Sequence, residues 1–246
     1  MAGSAAASAA TAGAAHGATA SLLFPPATPG STLRTGHGTR PDIDFTNWAG
    51  YAVTDGTLTS ISANWVAPTV KCFSAKTYSG FWVGFGGTEG PPIEQTGIAG
   101  NCSGGTATYY SWYEMYPSPV HKYPSTVMPG DDMSASVIYD GSNTYTLTIA
   151  DSTQGWKHTV RKTESISGGT SSAEVIAEAP CCTSAGNPRA LANFGTINFS
   201  DAKVNKSAIG TLSPTEITMV NNGVVKATPS ALSGNKNFSI TFGKQG

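Results

Sequence analysis

In Ser60-Ile61-Ser62-Ala63-Asn64-Trp65-Val66 the side chains of Ile61, Ala63 and Trp65 share one side of an extended chain, and Pro68 closes the run. This period of two, recurring in short runs from Asp42 onward, most restricts what the chain can fold into. Phe81 to Phe85 repeats it, as does Thr108 to Tyr116, where Tyr110, Trp112, Glu114 and Tyr116 oppose Tyr109, Ser111, Tyr113 and Met115. Ser134 to Tyr139, the turn Asp140-Gly141-Ser142-Asn143 and Thr144 to Ile149 read as a hairpin. Further strands are predicted over 156–161, 173–178, 195–199, 216–220, 223–227 and 237–242. Glycine at 29 positions and proline at 15, among scattered Ser and Thr, supply turns at short intervals. No segment has the spacing of an amphipathic helix. About a dozen short strands call for an all-β sandwich of two large antiparallel sheets.

The charge count narrows the partners. Of 246 residues only 12% are charged, with 14 Lys and Arg against 15 Asp and Glu. A net charge of -1 without a basic cluster gives no attraction for nucleic acid or an anionic membrane surface. A 39% hydrophobic content is that of a folded chain, yet no apolar run approaches the ~20 residues of a membrane span. So few charges also leave few carboxylate pairs to lose in acid, so the composition tolerates low pH. Residues 1–41 form an Ala/Gly/Ser/Thr/Pro tract without the basic and apolar regions of a signal peptide, and read as a flexible leader or pro-segment remnant. Residues 42–246 read as one β-sandwich domain, expected to be secreted and monomeric.

Cys72, Cys102, Cys181 and Cys182 contain no C-x-x-C and no His at zinc-finger spacing, so no metal and no cofactor is expected. Cys72 and Cys102 either pair in an exported protein or stay apart, and the adjacent Cys181 and Cys182 are read as part of a polar loop in preference to a ring. Serine-hydrolase elbows, zinc-protease helices and phosphate loops are absent, and His16, His37, His121 and His158 lie in unlike contexts, the last two reading as surface residues. What remains is carboxylates and amides among aromatic residues. Glu114 sits in Trp112-Tyr113-Glu114-Met115-Tyr116, while Glu174 and Glu178 share a side of Ala173-Glu174-Val175-Ile176-Ala177-Glu178. Such carboxylates are solvated, hydrogen-bonded or functional. Gln95, in Ile93-Glu94-Gln95-Thr96-Gly97, reads by itself as a loop amide.

Four of these stretches stand in a recognisable order: Phe81-Trp82-Val83-Gly84, Ile93 to Gly97, Ser111 to Pro117 and Ala173 to Glu178, preceded by Asn47-Trp48-Ala49-Gly50. Together they resemble the glutamic peptidases, or eqolisins, typified by the scytalidoglutamic and aspergilloglutamic enzymes, the chain being taken as a bacterial-type member. The resemblance implies a lectin-like (concanavalin-like) sandwich with its active site on the concave face, and metal-free endopeptidase action on polypeptides in acid. It assigns catalysis to the Gln of the Q-T-G motif and the first Glu of A-E-x-x-x-E, here Gln95 and Glu174. A Glu of near-normal pKa works as a base where histidine is protonated, and an amide N–H donates at any pH. By the same resemblance Trp82, Trp112, Glu114 and Tyr116, with Trp48, line the substrate cleft, core packing being the other reading of each, and Glu178 supports the site.

The chain departs from the fungal pattern at Gly86 and Tyr110, where those members carry Asp, and at Val175, where a Trp is usual. Two other readings accompany this one: a lectin-like module with Trp82, Trp112 and Tyr116 stacking on sugars, and a glycosidase with Glu114 and Glu174 as paired carboxylates.

Overall fold

A computed structural model of the chain describes residues 23–35, 41–183 and 186–244, with backbone alone for 29–35 and 41. His16, His37 and the rest of residues 1–22 and 36–40 lie outside the described residues. The described strands are β1 (Pro29–Thr35), β2 (Pro41–Phe45), β3 (Trp48–Val53), β4 (Ser60–Val66), β5 (Gly80–Gly86), β6 (Ile93–Ser103), β7 (Thr106–Tyr116), β8 (His121–Lys122) and β9 (Asp132–Gly141). They continue as β10 (Thr144–Asp151), β11 (Trp156–Thr163), β12 (Ala173–Glu178), β13 (Thr196–Val204), β14 (Ser207–Ala208), β15 (Thr215–Asn221), β16 (Val224–Pro229) and β17 (Phe238–Phe242). Helix among the described residues is limited to short 3-10 turns at Gly169–Ser171 and Ile209–Leu212.

The strands pair in one continuous order that folds over into two layers. One layer runs β8, β7, β6, β5, β12, β3, β15. The other runs β17, β13, β4, β9, β10, β11. The β15–β16 and β16–β17 pairings carry the ladder from one layer to the other. Among these strand pairs β2–β15 is parallel, and the rest are antiparallel. Phe81, Val83, Phe85 and Val175 of the first layer meet Ile61, Trp65, Val137, Leu147 and Phe199 of the second in one buried cluster. Each such side chain removed from water contributes about 1.5–3 kcal/mol, which holds the layers face to face. The architecture is the all-β sandwich expected.

Local chemistry explains most of the elements. The hairpin turns on Ser142 and Asn143 at φ 51° and 54°, the left-handed pair whose twist suits a two-residue connection. Cys72 and Cys102 form a disulfide with Cα atoms 5.3 Å apart, tying the loop after β4 to the end of β6. Cys181 and Cys182 follow β12 outside the named strands, Cys181 bridging to Leu23. The loop reading of Gln95 is corrected. Gln95 lies in β6, which is buried from Ile93 to Cys102 without interruption. A central strand covered on both faces has no polar side, so it shows no alternation for sequence reading to detect. β3 was missed for the same reason. Among the described residues no helix is long and apolar enough to cross a membrane.

Candidate active site

Strand register places the site. Glu174 of β12 and Gln95 of β6 are both partnered to Gly84 of the intervening β5, and Gln95 is partnered on its other side to Glu114 of β7. Cross-strand partners share a face, so Glu174, Gly84, Gln95 and Glu114 form one row on the face of the first layer turned away from the inter-layer core. The neighbouring row is Ile176, Trp82, Gly97 and Trp112, and beyond it lie Glu178, Gly80, Ala99 and Tyr110, with Trp48 beside Glu178. Tyr116 stands opposite Ile93 at the other end. The sequence-predicted site residues, scattered from Trp48 to Glu178, therefore meet on one surface.

Gly84 keeps the middle of the first row open. A Cβ there would come within 2.8 Å of the Gln95 Cβ and 3.0 Å of the Trp82 ring. Glu174 and Gln95 thus project from strands flanking a residue without a side chain, their Cα atoms two strand spacings, roughly 9.5 Å, apart.

The polar contacts are specific. Gln95 Nε2 donates to Glu114 Oε2 at 2.7 Å and to the carbonyl oxygen of Phe24 at 2.7 Å. Both partners are acceptors, which fixes the amide with its nitrogen toward them. The Phe24 N–H donates to the same Glu114 oxygen at 3.2 Å. Glu178 accepts from Trp82 Nε1 at 2.8 Å and from Asn47 Nδ2 at 3.4 Å. Both Glu174 oxygens are buried and lack a hydrogen-bond partner among the described residues.

Burial dominates the acidities. It holds the Glu174 carboxyl well above the usual carboxylate range, with the nearby Ser172 hydroxyl opposing and the Glu94 charge adding to the rise. Glu114 is raised by burial against the pull of the Phe24 N–H and the Gln95 amide. Glu178 is raised by burial and by the charge of Glu114, while Trp82, Trp48 and Asn47 act in the opposite sense. The near-normal Glu174 expected from sequence is thus overturned, because water is excluded from the row.

What excludes it is an N-terminal stretch of the chain. Leu23–Thr28 crosses this face as extended chain, with Phe24 stacked on Trp112 at 4.1 Å and 2° between ring planes. Trp48 donates its Nε1–H to the Pro25 carbonyl at 3.2 Å, and Asn47 Nδ2 donates to the Pro26 carbonyl at 3.1 Å. Phe24, Trp48, Trp82, Trp112 and Ile176 bury together in a second apolar cluster on this side of the layer. Trp48, Trp82 and Trp112 are fully buried, and Tyr116 is half-buried. Sequence reasoning missed Phe24 and the linking part played by Asn47. Leu22-Leu23-Phe24-Pro25-Pro26, the bulkiest apolar stretch in an Ala-rich tract, was the available signal.

The departures from the fungal pattern have local explanations. Gly86 has φ +80°, and a Cβ there would collide with the Pro92 carbonyl oxygen, so Asp does not fit this backbone. Val175 points into the inter-layer core, away from the Glu174 row. Tyr110 carries Lys122 over its ring at 3.9 Å. His121 is exposed as expected, whereas His158 is half-buried, stacked on Tyr123 at 4.3 Å and 2.8 Å from the Ser125 hydroxyl. Among the described residues no cluster of His, Cys, Asp and Glu is placed to hold a metal ion.

Comparison with solved structures agrees with this architecture. The scytalido-glutamic peptidase crystallised with a transition state analog inhibitor matches with a TM-score of 0.69 at 24% identity, over 80% of this chain and 98% of that one. SCP-B, an eqolisin in complex with the tripeptide Ala-Ile-His, gives a TM-score of 0.68 at 22% identity over 80% of this chain and 98% of its own. Aspergilloglutamic peptidase from Aspergillus niger gives 0.59 at 23% identity over 68% and 99%. At these identities the likeness speaks for the fold. No curated protein sequence matches the chain. The peptidase A4 family model, however, matches residues 46–242, from the Trp48 strand through the amide, carboxylate and tryptophan rows to the last strand. With that match spanning both layers of the sandwich and the row of Glu174, Gln95 and Glu114, the chain belongs to the peptidase A4 (eqolisin) family of glutamic peptidases.

Proposed function

We propose that the chain is an acid-acting endopeptidase in which Glu174 activates water and Gln95 stabilises the oxyanion. The observation that carries this reading is the 2.7 Å hydrogen bond from Gln95 Nε2 to the backbone carbonyl of Phe24, a peptide oxygen lying in the groove. It is the contact an attacked carbonyl requires. Ionised Glu174 takes a proton from water as the water oxygen bonds to the carbonyl carbon. The carbonyl oxygen gains negative charge against the Gln95 N–H. Glu174 then passes the proton to the amide nitrogen as the C–N bond breaks. Glu114 holds the Gln95 amide in the donating orientation. Re-entry of water when the covering segment leaves returns Glu174 toward the ordinary carboxylate range, which lets it serve as a base in acid. The Cys72–Cys102 disulfide fits an oxidising compartment, and so an exported enzyme. Relatives bound to a tripeptide and to a transition state analog point to polypeptide as the substrate class.

The alternatives fare worse. Against a glycosidase pair, Glu114 and Glu174 are separated by two strands with Gln95 and Gly84 between them, and one Glu114 oxygen is engaged by the Gln95 amide and the Phe24 N–H. Against a sugar-binding reading stands the family match, which is to peptidases. The test is hydrolysis of an unfolded protein near pH 3 to 4. Gln95→Ala loses on the order of 10²–10³ in kcat, Glu174→Gln loses at least as much, and both keep the wild-type circular dichroism. Wild-type turnover by either variant refutes the assignment.

A further inference from the structure

Away from the row of Glu174 and Gln95, the geometry points to a separate binding site: a cationic cavity that takes a small organic anion, a carboxylate or phosphate head on a short apolar body. The cavity, of about 380 Å³, lies between the β15–β16 hairpin and the loop that follows β12. Arg189 and Lys226 line it, and no Asp or Glu stands among its described lining residues. Asn187 and Asn221 add neutral amides, while Leu191 and Met219 add apolar wall. That volume and that mixture fall in the range of small-molecule pockets.

The decisive group is Lys226, which is 7% exposed. A lysine so far removed from water is normally paired. Lys203 and Lys236 pair with Asp201, and Arg161 with Asp140, whereas Lys226 has no carboxylate or hydrogen-bond acceptor for its ammonium among the described residues. Arg189 is oriented by contacts that leave its fork unclaimed. Its Nε donates to the Cys181 carbonyl at 3.4 Å and its guanidinium lies over the Tyr78 ring at 5.2 Å. The two terminal nitrogens are left for the bidentate contact that carboxylate and phosphate oxygens match. The Thr46 hydroxyl, buried at the same wall, also lacks a partner among the described residues. Backbone hydrogen bonds fix these walls: the Arg189 N–H donates to the Pro180 carbonyl at 2.9 Å, the Tyr78 N–H to the Ala190 carbonyl at 2.9 Å and the Gly243 N–H to the Lys226 carbonyl at 2.7 Å. Two cations without a counter-charge select an anion over a neutral molecule. A bound head satisfies Lys226 and Arg189 together, while its body covers Leu191 and Met219. The site uses none of Glu174, Gln95 and Glu114, and it does not depend on hydrolysis.

The experiment titrates the full-length chain at pH 6, where a carboxylate is ionised, with N-acetylleucine and with isopentyl phosphate, followed by calorimetry and by amide NMR. N-acetylleucinamide, the same body without the charge, is the control. At least one of the two anions is expected to bind saturably and at least tenfold more tightly than the control, and the tighter of them identifies the head. Inorganic phosphate, which has no body, is expected to bind at least tenfold more weakly than that anion. On the wild-type chain, which needs no variant to fold, binding is expected to move the amide signals of Arg189, Leu191, Asn221 and Lys226. Lys226→Met keeps the stem and removes the charge, and is expected to lose at least tenfold in affinity. Arg189→Gln, on the loop, is expected to lose as much with an unchanged urea midpoint, which covers the case of a Lys226→Met chain that fails to fold. No binding by either anion, equal binding of anion and neutral control, shifts confined to other surfaces, or affinity unchanged in the folded variants overturns the inference. Inorganic phosphate binding as tightly as the organic anions overturns the ligand class.

Discussion

Replacing Glu94 by Gln should stabilise the protein at neutral pH and leave it unchanged in acid. Glu94 precedes Gln95 on β6 and therefore points the other way, into the protein, where it is 0% exposed and its two oxygens lack a hydrogen-bond partner among the described residues. Gly169 passes so close that a Cβ there would collide with the Glu94 carboxyl. Burial, reinforced by the charge of Glu164 and opposed by its own backbone N–H and the Tyr145 hydroxyl, pushes this carboxyl from 4.5 up to about 8. Below pH 4.5 both folded and unfolded chains hold the proton, and the group has no effect. Between there and pH 8 the unfolded chain ionises while the folded one does not, so stability is lost at about 1.4 kcal/mol per pH unit. By pH 6 the loss is about 2 kcal/mol, and by pH 8 about 5 kcal/mol, a large share of a typical domain's 5–15 kcal/mol. Urea unfolding followed by tryptophan fluorescence at pH 4, 6 and 8 measures it. The stability difference between Glu94→Gln and wild type is expected to grow from near zero to about 4–5 kcal/mol across that range. A difference independent of pH, or one that shrinks as pH rises, refutes the reasoning. Glu114, Glu174 and Glu178, raised by burial as well, tilt the wild-type curve in the same direction, toward greatest stability in acid.

Gly84→Ala forces a methyl group against the Gln95 Cβ and the Trp82 ring; it is expected to cost about 1–3 kcal/mol in thermal or urea unfolding and to depress hydrolysis by displacing the amide. Trp82→Phe deprives Glu178 of its 2.8 Å donor and is expected to cost about 1–3 kcal/mol in urea unfolding, where no loss would mean that the bond is immaterial. Converting Cys72 and Cys102 together to Ser opens a loop of 30 residues, with an expected loss of about 3–4 kcal/mol on the chain-entropy account; an unchanged urea midpoint contradicts it.

Much of this protein was written in local chemistry. Alternation in Ser60–Val66 and the hairpin around Ser142 and Asn143 follow from side chains that must choose between core and solvent. The row of Glu174 and Gln95 was legible only in outline, because resemblance named the two residues but could not say how the 78 positions between them are spanned. β3 and β6, buried on both faces, show no alternation between polar and apolar sides and went unrecognised, whereas β5 and β12, equally buried, were recognised from their runs of apolar and aromatic residues.

Residue types and their order along the chain determined the β class and the turns. Tertiary structure alone decided three things: the register that sets Glu174, Gly84, Gln95 and Glu114 in one row, the burial that lifts those carboxyls, and the seating of Phe24 against Trp112. The reason is physical. Alternation records which side of its own strand a residue takes, whereas register, desolvation and the covering of one segment by another arise between strands distant in the chain, and no short window of sequence contains both partners.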